Sequence, residues 1–380
     1  MKKYKIGIIG YGGFGRFLHH WFSRLPNVEV IAVADHGHHT KDTTACHVYA
    51  NWKDLLNDPE IEIVSIVTPP ALHAQMACAA MQAGKHVMLE KPVALTEESA
   101  QQILAVQKEI GKAITVNHMI RYNPIIRTVK TIGQSGVLGK LRHAVVKNYA
   151  QDEALPTDHW FWYPEMSGGI LVEHGVHFFD IVNMLSNQQY TEVCGMSDAR
   201  NESQRDRVAA MVKYDQGLIA SYYHAFSGPG IFEETTIELV YDLARFEIKG
   251  WMPLSGTVKA MVNDGMKNQL GNLPGWEIIT SDSLASAQDS SRPEGWGATE
   301  QAEPIAANLI NFGGVGYDVD QLVSATFKIS QSKGDVYGKC VQSTLTDLIE
   351  KIENPDHKMV VTIEDGIEAL RVALRATRVD

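Results

Sequence analysis

Gly10-Tyr11-Gly12-Gly13-Phe14-Gly15 follows the apolar run Lys5–Ile9 directly and opens a stretch free of proline until position 26. The spacing is G-x-G-x-x-G, and each glycine has a physical task. One permits a tight turn, one bares the backbone to a pyrophosphate, and one lets the next helix pack closely on the strand. The first N–H groups of that helix then face the phosphate charge. Asp35, twenty residues past Gly15 at the end of the run Val30–Ala34, offers a carboxylate to the two ribose hydroxyls. Gly10, Gly12, Gly13, Phe14, Gly15 and Asp35 are therefore expected to hold a dinucleotide. A 2′-phosphate would be repelled by Asp35, and His36-Gly37-His38-His39 contains no arginine to clamp one, so NAD is expected over NADP. The same histidines, with Cys46 and His47, match no zinc spacing, and no metal is expected.

Such a site needs strands that end where the ligand lies. Lys5–Ile9, Val28–Ala34, Ile63–Val67, His86–Leu89 and Ala113–Asn117 are short β-rich runs. They alternate with amphipathic stretches near Phe14–Ser23, Ala71–Ala83 and Thr96–Gly111, the pattern of βαβ units covered by helices on both faces. Residues 1–122 thus read as an α/β Rossmann domain with a doubly wound parallel sheet. A helix near Pro124–Gly133 then gives way to longer strands at Lys140–Gln151, Thr191–Arg200, Arg205–Tyr214, Leu218–Phe226, Thr235–Tyr241 and Ala244–Gly250. One helical stretch, Gly169–Leu185, interrupts them. Residues 123–380 read as an α+β domain with a large, mostly antiparallel open sheet for substrate binding and oligomerisation. Within it, 263–316 is rich in Gly, Ser, Asn, Asp and Pro and is expected to be an irregular insertion. Two closing helices are expected at Asp335–Glu353 and Ile363–Arg378, the last packing back on the N-terminal domain.

Three further motifs stand in order: Thr68-Pro69-Pro70 with His73, Glu90-Lys91-Pro92, and Gly168-Gly169-Ile170-Leu171-Val172-Glu173-His174-Gly175-Val176-His177. With the glycine turn, Asp35 and the closing stretch Thr362–Leu370, they make the chain resemble the glucose-fructose oxidoreductase / inositol dehydrogenase / MocA (Gfo/Idh/MocA) family along nearly its whole length. The resemblance implies a two-domain enzyme with its active site between the domains. It implies hydride transfer between nicotinamide and a secondary alcohol or ketone of a sugar, polyol or related hydroxy compound. It also implies subunit contacts through the C-terminal sheet, hence a homodimer or homotetramer. Thr68, Pro69, His73, Glu90, Lys91 and Asn117 fall near the cofactor in this reading, and Lys91, Glu173 and His177 carry the catalysis. Arg121 and Tyr122 match the family's basic–aromatic pair at the domain junction, there to contact substrate or to brace the crossover, and His174 falls beside the substrate. Trp160, in the aromatic run before the helix, either walls the pocket, where a sugar ring can stack on it, or packs in the core.

Oxidising a secondary alcohol requires a base for the hydroxyl proton, a donor for the developing alkoxide and a nicotinamide held face-on. Lys91 follows a strand's C-terminal end, where ligands bind in open α/β sheets, and suits the donor. His177 is the expected base, kept neutral by a helix start after Gly168-Gly169. Glu173, four residues earlier, shares its helical face and is expected to orient the imidazole or to bind substrate. The family usually carries Asp where Glu173 stands. The extra methylene displaces the carboxylate by about 1.5 Å, enough to mark an unusual substrate subgroup.

Composition bounds the partners. Lys+Arg total 34 against Asp+Glu 45, for a formal net charge of -11, so no positive field exists for nucleic acid. Four scattered cysteines, no long apolar span and no signal-like start point to a cytoplasmic protein without a membrane partner. Two rival functions stand beside the dehydrogenase. One is a redox-assisted glycosidase, in which retained NAD transiently oxidises a ring hydroxyl. The other is a non-catalytic NAD(H)-binding sensor, against which the presence of both Lys91 and His177 argues.

Overall fold

The computed structural model describes residues 2–36, 46–284 and 309–377. Its first layer is a six-stranded sheet built from β1 (Tyr4–Ile9), β2 (Val28–Ala34), β3 (His47–Tyr49), β4 (Ile63–Ile66), β5 (His86–Leu89) and β6 (Ile114–Val116). The strands lie in the order β3-β2-β1-β4-β5-β6 and every pair is parallel. Connections reverse direction between β1 and β4, which opens a crevice at the carboxyl ends of those strands. Helices α1 (Gly13–Phe22), α2 (Trp52–Leu56), α3 (His73–Gln82) and α4 (Glu97–Ile110) link the strands. All four residues of β4 are buried, as a sheet covered on both faces requires. β3 and α2 have no counterpart in the sequence reading. β3 is a three-residue edge strand with two exposed positions, and α2 has five residues, too few to display a period.

A 3-10 turn, Met119–Tyr122, and α5 (Pro124–Gln134) carry the chain to the second sheet. α5 starts where the Asn123 side chain accepts the N–H groups of Ile125 and Ile126, an N-cap preceding proline at the first helical position. The sheet comprises β7 (Leu141–Gln151), β8 (Tyr190–Asp198), β9 (Arg207–Tyr214), β10 (Ile219–Gly228), β11 (Glu234–Tyr241), β12 (Ala244–Lys249), β13 (Ser255–Val262), β14 (Glu277–Ser283) and β17 (Gln321–Lys328). The order is β14-β17-β13-β12-β11-β7-β10-β9-β8, antiparallel throughout except where β10 meets β7. α6 (Pro164–Ser167) and α7 (Val176–Ser186) cross between β7 and β8.

The stretch 263–316 is not irregular where it is described. It contains α8 (Asp264–Leu270), the edge strand β14 and a hairpin of β15 (Leu309–Phe312) with β16 (Val315–Asp318). All seven residues of β14 are exposed, so the inside-outside alternation that marks a strand is missing from its sequence. Residues 285–308 of the stretch lie outside the described residues.

The closing helices α9 (Lys333–Glu353) and α10 (Ile363–Thr377) bind the two layers together. Gln342 Nε2 on α9 donates to Trp21 O on α1 at 2.7 Å. Arg371 Nε on α10 donates to Glu97 Oε1 on α4 at 2.6 Å. Ile367, Leu370 and Val372 of α10 are fully buried, each worth about 1.5–3 kcal/mol relative to exposure. Among the described residues no helix is long and apolar enough to cross a membrane.

Candidate active site

β1 ends at Ile9, and Gly10 turns the chain with φ +93°. A Cβ on Gly10 would stand 2.5 Å from Val67 O, and one on Gly15 would stand 2.1 Å from Gly10 O, so a side chain at either position displaces backbone. Gly12 and Gly13 are different. Nothing lies within 4 Å of where their Cβ atoms would be, which leaves the backbone at the start of α1 open to a ligand. The crevice beside it has a volume of about 370 Å³ and is lined by these glycines, Phe14, Asp35, Thr68 and Pro69. Asp35 Oδ2 accepts the Tyr11 N–H at 2.6 Å, tying the end of β2 to the glycine turn. An anion-accepting backbone with a carboxylate on one flank fits a nicotinamide dinucleotide, with Asp35 at the ribose. His36 lines the same crevice, whereas His38 and His39 lie outside the described residues.

A second cavity of about 510 Å³ adjoins it. Phe14, Val67, Thr68 and Trp160 line both, so the crevice runs into the cavity. After β5, Glu90 and Lys91 form part of its wall, with a cis bond between Lys91 and Pro92. Burial pushes Glu90 up to about 7, although Asn117 Nδ2 donates to its Oε1 at 2.5 Å. Asn117 is fully buried behind Glu90 and lines neither cavity; its amide supports the Glu90 carboxyl. His73 is also fully buried. Its ring joins Pro92 O at 2.7 Å and Thr68 O at 2.8 Å, splinting the two turns that carry site residues.

The helix expected over Gly169–Leu185 is present, running without a gap from Ile170 to Ser186, but it is widened near its start. Gly168 and Gly169 adopt φ of 77° and 82°, Leu171–Gly175 forms a π turn, and the regular α turns of α7 follow from Val176. Such a turn is one residue wider than an α turn and often marks a functional site. Here Lys91 Nζ donates to Glu173 O at 2.8 Å and to the Glu173 carboxylate. Glu173 thus turns to Lys91 and does not orient His177, whose Nδ1 is buried without a partner. His177 is held well below the ordinary imidazole range, first by burial and then by Lys91 and its histidine neighbours. Its neutrality therefore comes from burial and not from a helix start. Burial and Lys91 push His174 down to about 3.

A family profile described as "Oxidoreductase family, NAD-binding Rossmann fold" matches residues 4–118, and the "GFO/IDH/MocA C-terminal domain" matches residues 126–247. Together they cover more than half of the chain. The chain belongs to the Gfo/Idh/MocA oxidoreductase family. The uncharacterized oxidoreductase YrbE of Bacillus subtilis is 30% identical to it over 50% of this chain and 56% of its own length. The inositol 2-dehydrogenase/D-chiro-inositol 3-dehydrogenase of Lactiplantibacillus plantarum is 29% identical over 50% of this chain and 54% of its own. The chain thus spans a little over half the length of these curated relatives. GenD2 from gentamicin A biosynthesis, solved in complex with NAD, has the same fold, with a TM-score of 0.71 and 17% identity over 99% of this chain and 93% of that one.

Of the two readings open for Arg121 and Tyr122 in this Gfo/Idh/MocA chain, substrate contact or bracing of the crossover, the structure shows the brace. Arg121 gives Nε to Asp180 Oδ2 at 2.8 Å, Nη2 to Asp180 Oδ1 at 2.6 Å and Nη1 to Val360 O at 2.9 Å. It braces the crossover turn against α7 and the approach to α10. Tyr122 OH donates to Asp347 Oδ2 on α9 at 2.7 Å. Met119, from the same turn, is the one that reaches the cavity. Trp160 and His174 do line it.

The sequence reading missed an inner polar layer. Asn148, His224 and Thr235 stand side by side on β7, β10 and β11 by strand register. Thr235 Oγ1 donates to Asn148 Oδ1 at 2.9 Å, which leaves the Asn148 amide nitrogen unpartnered. Both residues line the cavity. His118 and His224 are buried with no hydrogen bond at either ring nitrogen, His118 Nδ1 lying 3.9 Å from Asp180 Oδ2, and their rings stand nearly perpendicular to those of His177 and His174, with centroids 6.1 Å and 5.7 Å apart. The available signal was a polar residue at an inward position of an otherwise apolar strand face.

Proposed function

We propose that this chain is an NAD-dependent dehydrogenase or reductase moving a hydride between nicotinamide and a secondary alcohol or ketone of a neutral sugar, polyol or related hydroxy compound. One observation carries the reading: the Lys91 ammonium lines the cavity that continues the glycine-walled crevice, beside Glu173 and His177. Bound NAD supplies the hydride acceptor or donor. Lys91 donates an N–H to the reacting oxygen and stabilises the alkoxide as it develops. Two groups beside it, Glu173 and His177, are placed to take the hydroxyl proton. The neutral rings of His174 and His177 add hydrogen bonds without adding charge, while Trp160, Phe226 and Trp251 give the cavity aromatic walls on which a ring can stack. The carboxylate of Asp35 favours NAD over a 2′-phosphorylated cofactor. A relative named for inositol oxidation supports the substrate class.

The same reading includes a homodimer or homotetramer in the cytoplasm. Tyr149, Met196, Met211 and Ile219 are exposed on the nine-stranded sheet, an apolar patch suited to a second copy, and all four cysteines are free thiols.

The test is nicotinamide absorbance with NAD and NADP against inositols, hexoses, sugar acids and their keto forms. NAD-linked turnover lost in Lys91→Ala supports the proposal. NAD binding with cleavage of a glycoside and no free NADH would replace it with the redox-assisted glycosidase, and binding with no chemistry at all with the sensor.

A further inference from the structure

We propose that Asn148 is the specificity-determining residue of the cavity, its amide N–H groups binding the carbonyl oxygen of an acyl substituent, amide or ester, on the substrate. The inference rests on the dehydrogenase reading above and narrows its substrate class. Asn148 is only 1% exposed, yet it lines the cavity. Strand register fixes it from both sides, with Thr235 opposite it on β11 and His224 on β10. Thr235 Oγ1 donates to Asn148 Oδ1 at 2.9 Å, so the amide oxygen is taken and the amide nitrogen is turned away from Thr235. That nitrogen carries two N–H donors and has no partner. A buried donor left unpaired costs free energy until an acceptor arrives, and the cavity that Asn148 lines is where one can arrive. His174, next to Glu173 in the chain, has its ring 5.7 Å from that of His224, the cross-strand neighbour of Asn148. A molecule oxidised at Lys91 therefore presents a substituent, not its reacting carbon, to Asn148.

Three chemistries suit a buried amide donor, and the surroundings choose among them. A carboxylate would be buried without a cation of its own. The two ammonium groups that line the cavity are Lys91, which faces Glu173, and Lys333, which lies 3.9 Å from Glu233 with its side chain 56% exposed. The ring beside Asn148, His224, is neutral because burial holds it well below the ordinary imidazole range. A bare hydroxyl would satisfy the nitrogen but leave apolar surface uncovered. Ala150, two residues along β7 and on the same face, stands opposite Phe226 on β10. Phe161 packs on Phe226 with ring centroids 4.8 Å apart, and the Leu155 carbonyl accepts Trp162 Nε1 at 3.1 Å. Ala150, Leu155, Phe161 and Phe226 all line the cavity with Asn148. An acyl group meets both needs, with an uncharged acceptor oxygen for the amide and a small alkyl tail for the apolar wall. The cavity volume of about 510 Å³ leaves room for a substituted ring.

The experiment is calorimetric binding of matched hexoses to the NAD-loaded full chain, with turnover followed alongside by nicotinamide absorbance. Glucose, galactose and mannose are each offered unsubstituted, N-acetylated at carbon 2, O-acetylated, and oxidised to the uronate. Wild type, Asn148→Asp, Asn148→Leu and Thr235→Val are compared, each with its thermal melt. The expected result is an acetylated form bound at least about tenfold more tightly than its parent, the N- and O-acetyl arms separating amide from ester. That ratio is expected to collapse toward one in Asn148→Asp, which keeps the acceptor for Thr235 and loses the donor, and in Asn148→Leu, which loses both. Thr235→Val frees the amide to turn and lowers the ratio less. A ratio between two ligands is not imitated by partial loss of folded protein. Wild type that shows no acetyl preference, or that binds the uronate most tightly, overturns the assignment, as does a preference that survives both Asn148 variants. Acetyl preference in binding with no NAD-linked oxidation of any hexose overturns the dehydrogenase reading alone.

Discussion

In the proposed reaction Lys91 carries the stabilising charge, and its replacement is expected to separate function from folding. Lys91→Ala removes the donor to the reacting oxygen, and kcat is expected to fall by about 100- to 1,000-fold, with NAD affinity unchanged by fluorescence titration. Glu90 behaves as a buried acid. Its folded value of about 7 lies above the ordinary 4.5, so the stability it contributes is full below about 4.5 and is lost as pH rises through 7. Glu90→Gln keeps an acceptor for Asn117 and removes that loss. Chemical denaturation at pH 8 is expected to find the variant more stable, by at most about 3 kcal/mol. Legibility at this scale follows locality. The glycine turn, Asp35 and Lys91 were readable because each is constrained by its own few neighbours in sequence. The environment of His177 was not, because it is made by His118, His174 and His224, which meet only in the fold.

Elements differ in the same way. β1, β2 and β4 through β6 announce themselves as apolar runs because both of their faces are covered, and five of the six strands of the first sheet were legible. β14 shows no alternation because it is exposed on both faces, and the π turn shows none because a helix-length apolar segment does not encode where it widens. Arg121 stayed between substrate contact and a crossover brace because a cation at a domain junction has the same sequence signature whether it meets substrate or a carboxylate. Its pairing with Asp180 is buried and bidentate. Arg121→Ala, which strands that carboxylate, is expected to cost about 3–5 kcal/mol in urea unfolding, with KM for substrate little changed in the folded fraction. A rise in KM at unchanged stability would return Arg121 to the substrate.

At the scale of the whole molecule, burial of imidazoles sets the response to acid. His73, His118, His174, His177 and His224 are all buried and held below the ordinary 6.5, His73 to about 4 and His174 to about 3. A depressed imidazole stabilises the fold above about 6.5, and that stability is lost as pH falls toward the folded value. Each contributes up to about 1.4 kcal/mol per pH unit, and together they outweigh the opposite response of Glu90. Unfolding free energy is therefore expected to drop steeply from pH 6.5 to 4. A flat profile there would mean that these rings find partners or water. For the assembly, Met211→Glu places a charge in the exposed patch of the sheet, and sedimentation is expected to show dissociation toward monomers; wild-type monomers at micromolar concentration would contradict the proposed oligomer.

The proposed hydride transfer beside Lys91 can be followed through the hydride itself. A polyol deuterated at its carbinol carbon is incubated with the protein and NAD, and the nicotinamide, free and protein-bound, is extracted for mass spectrometry. Deuterium in the reduced cofactor, lost on Lys91→Ala while NAD binding persists, is the predicted result. Bound NAD that acquires no deuterium from any sugar or polyol would contradict the account.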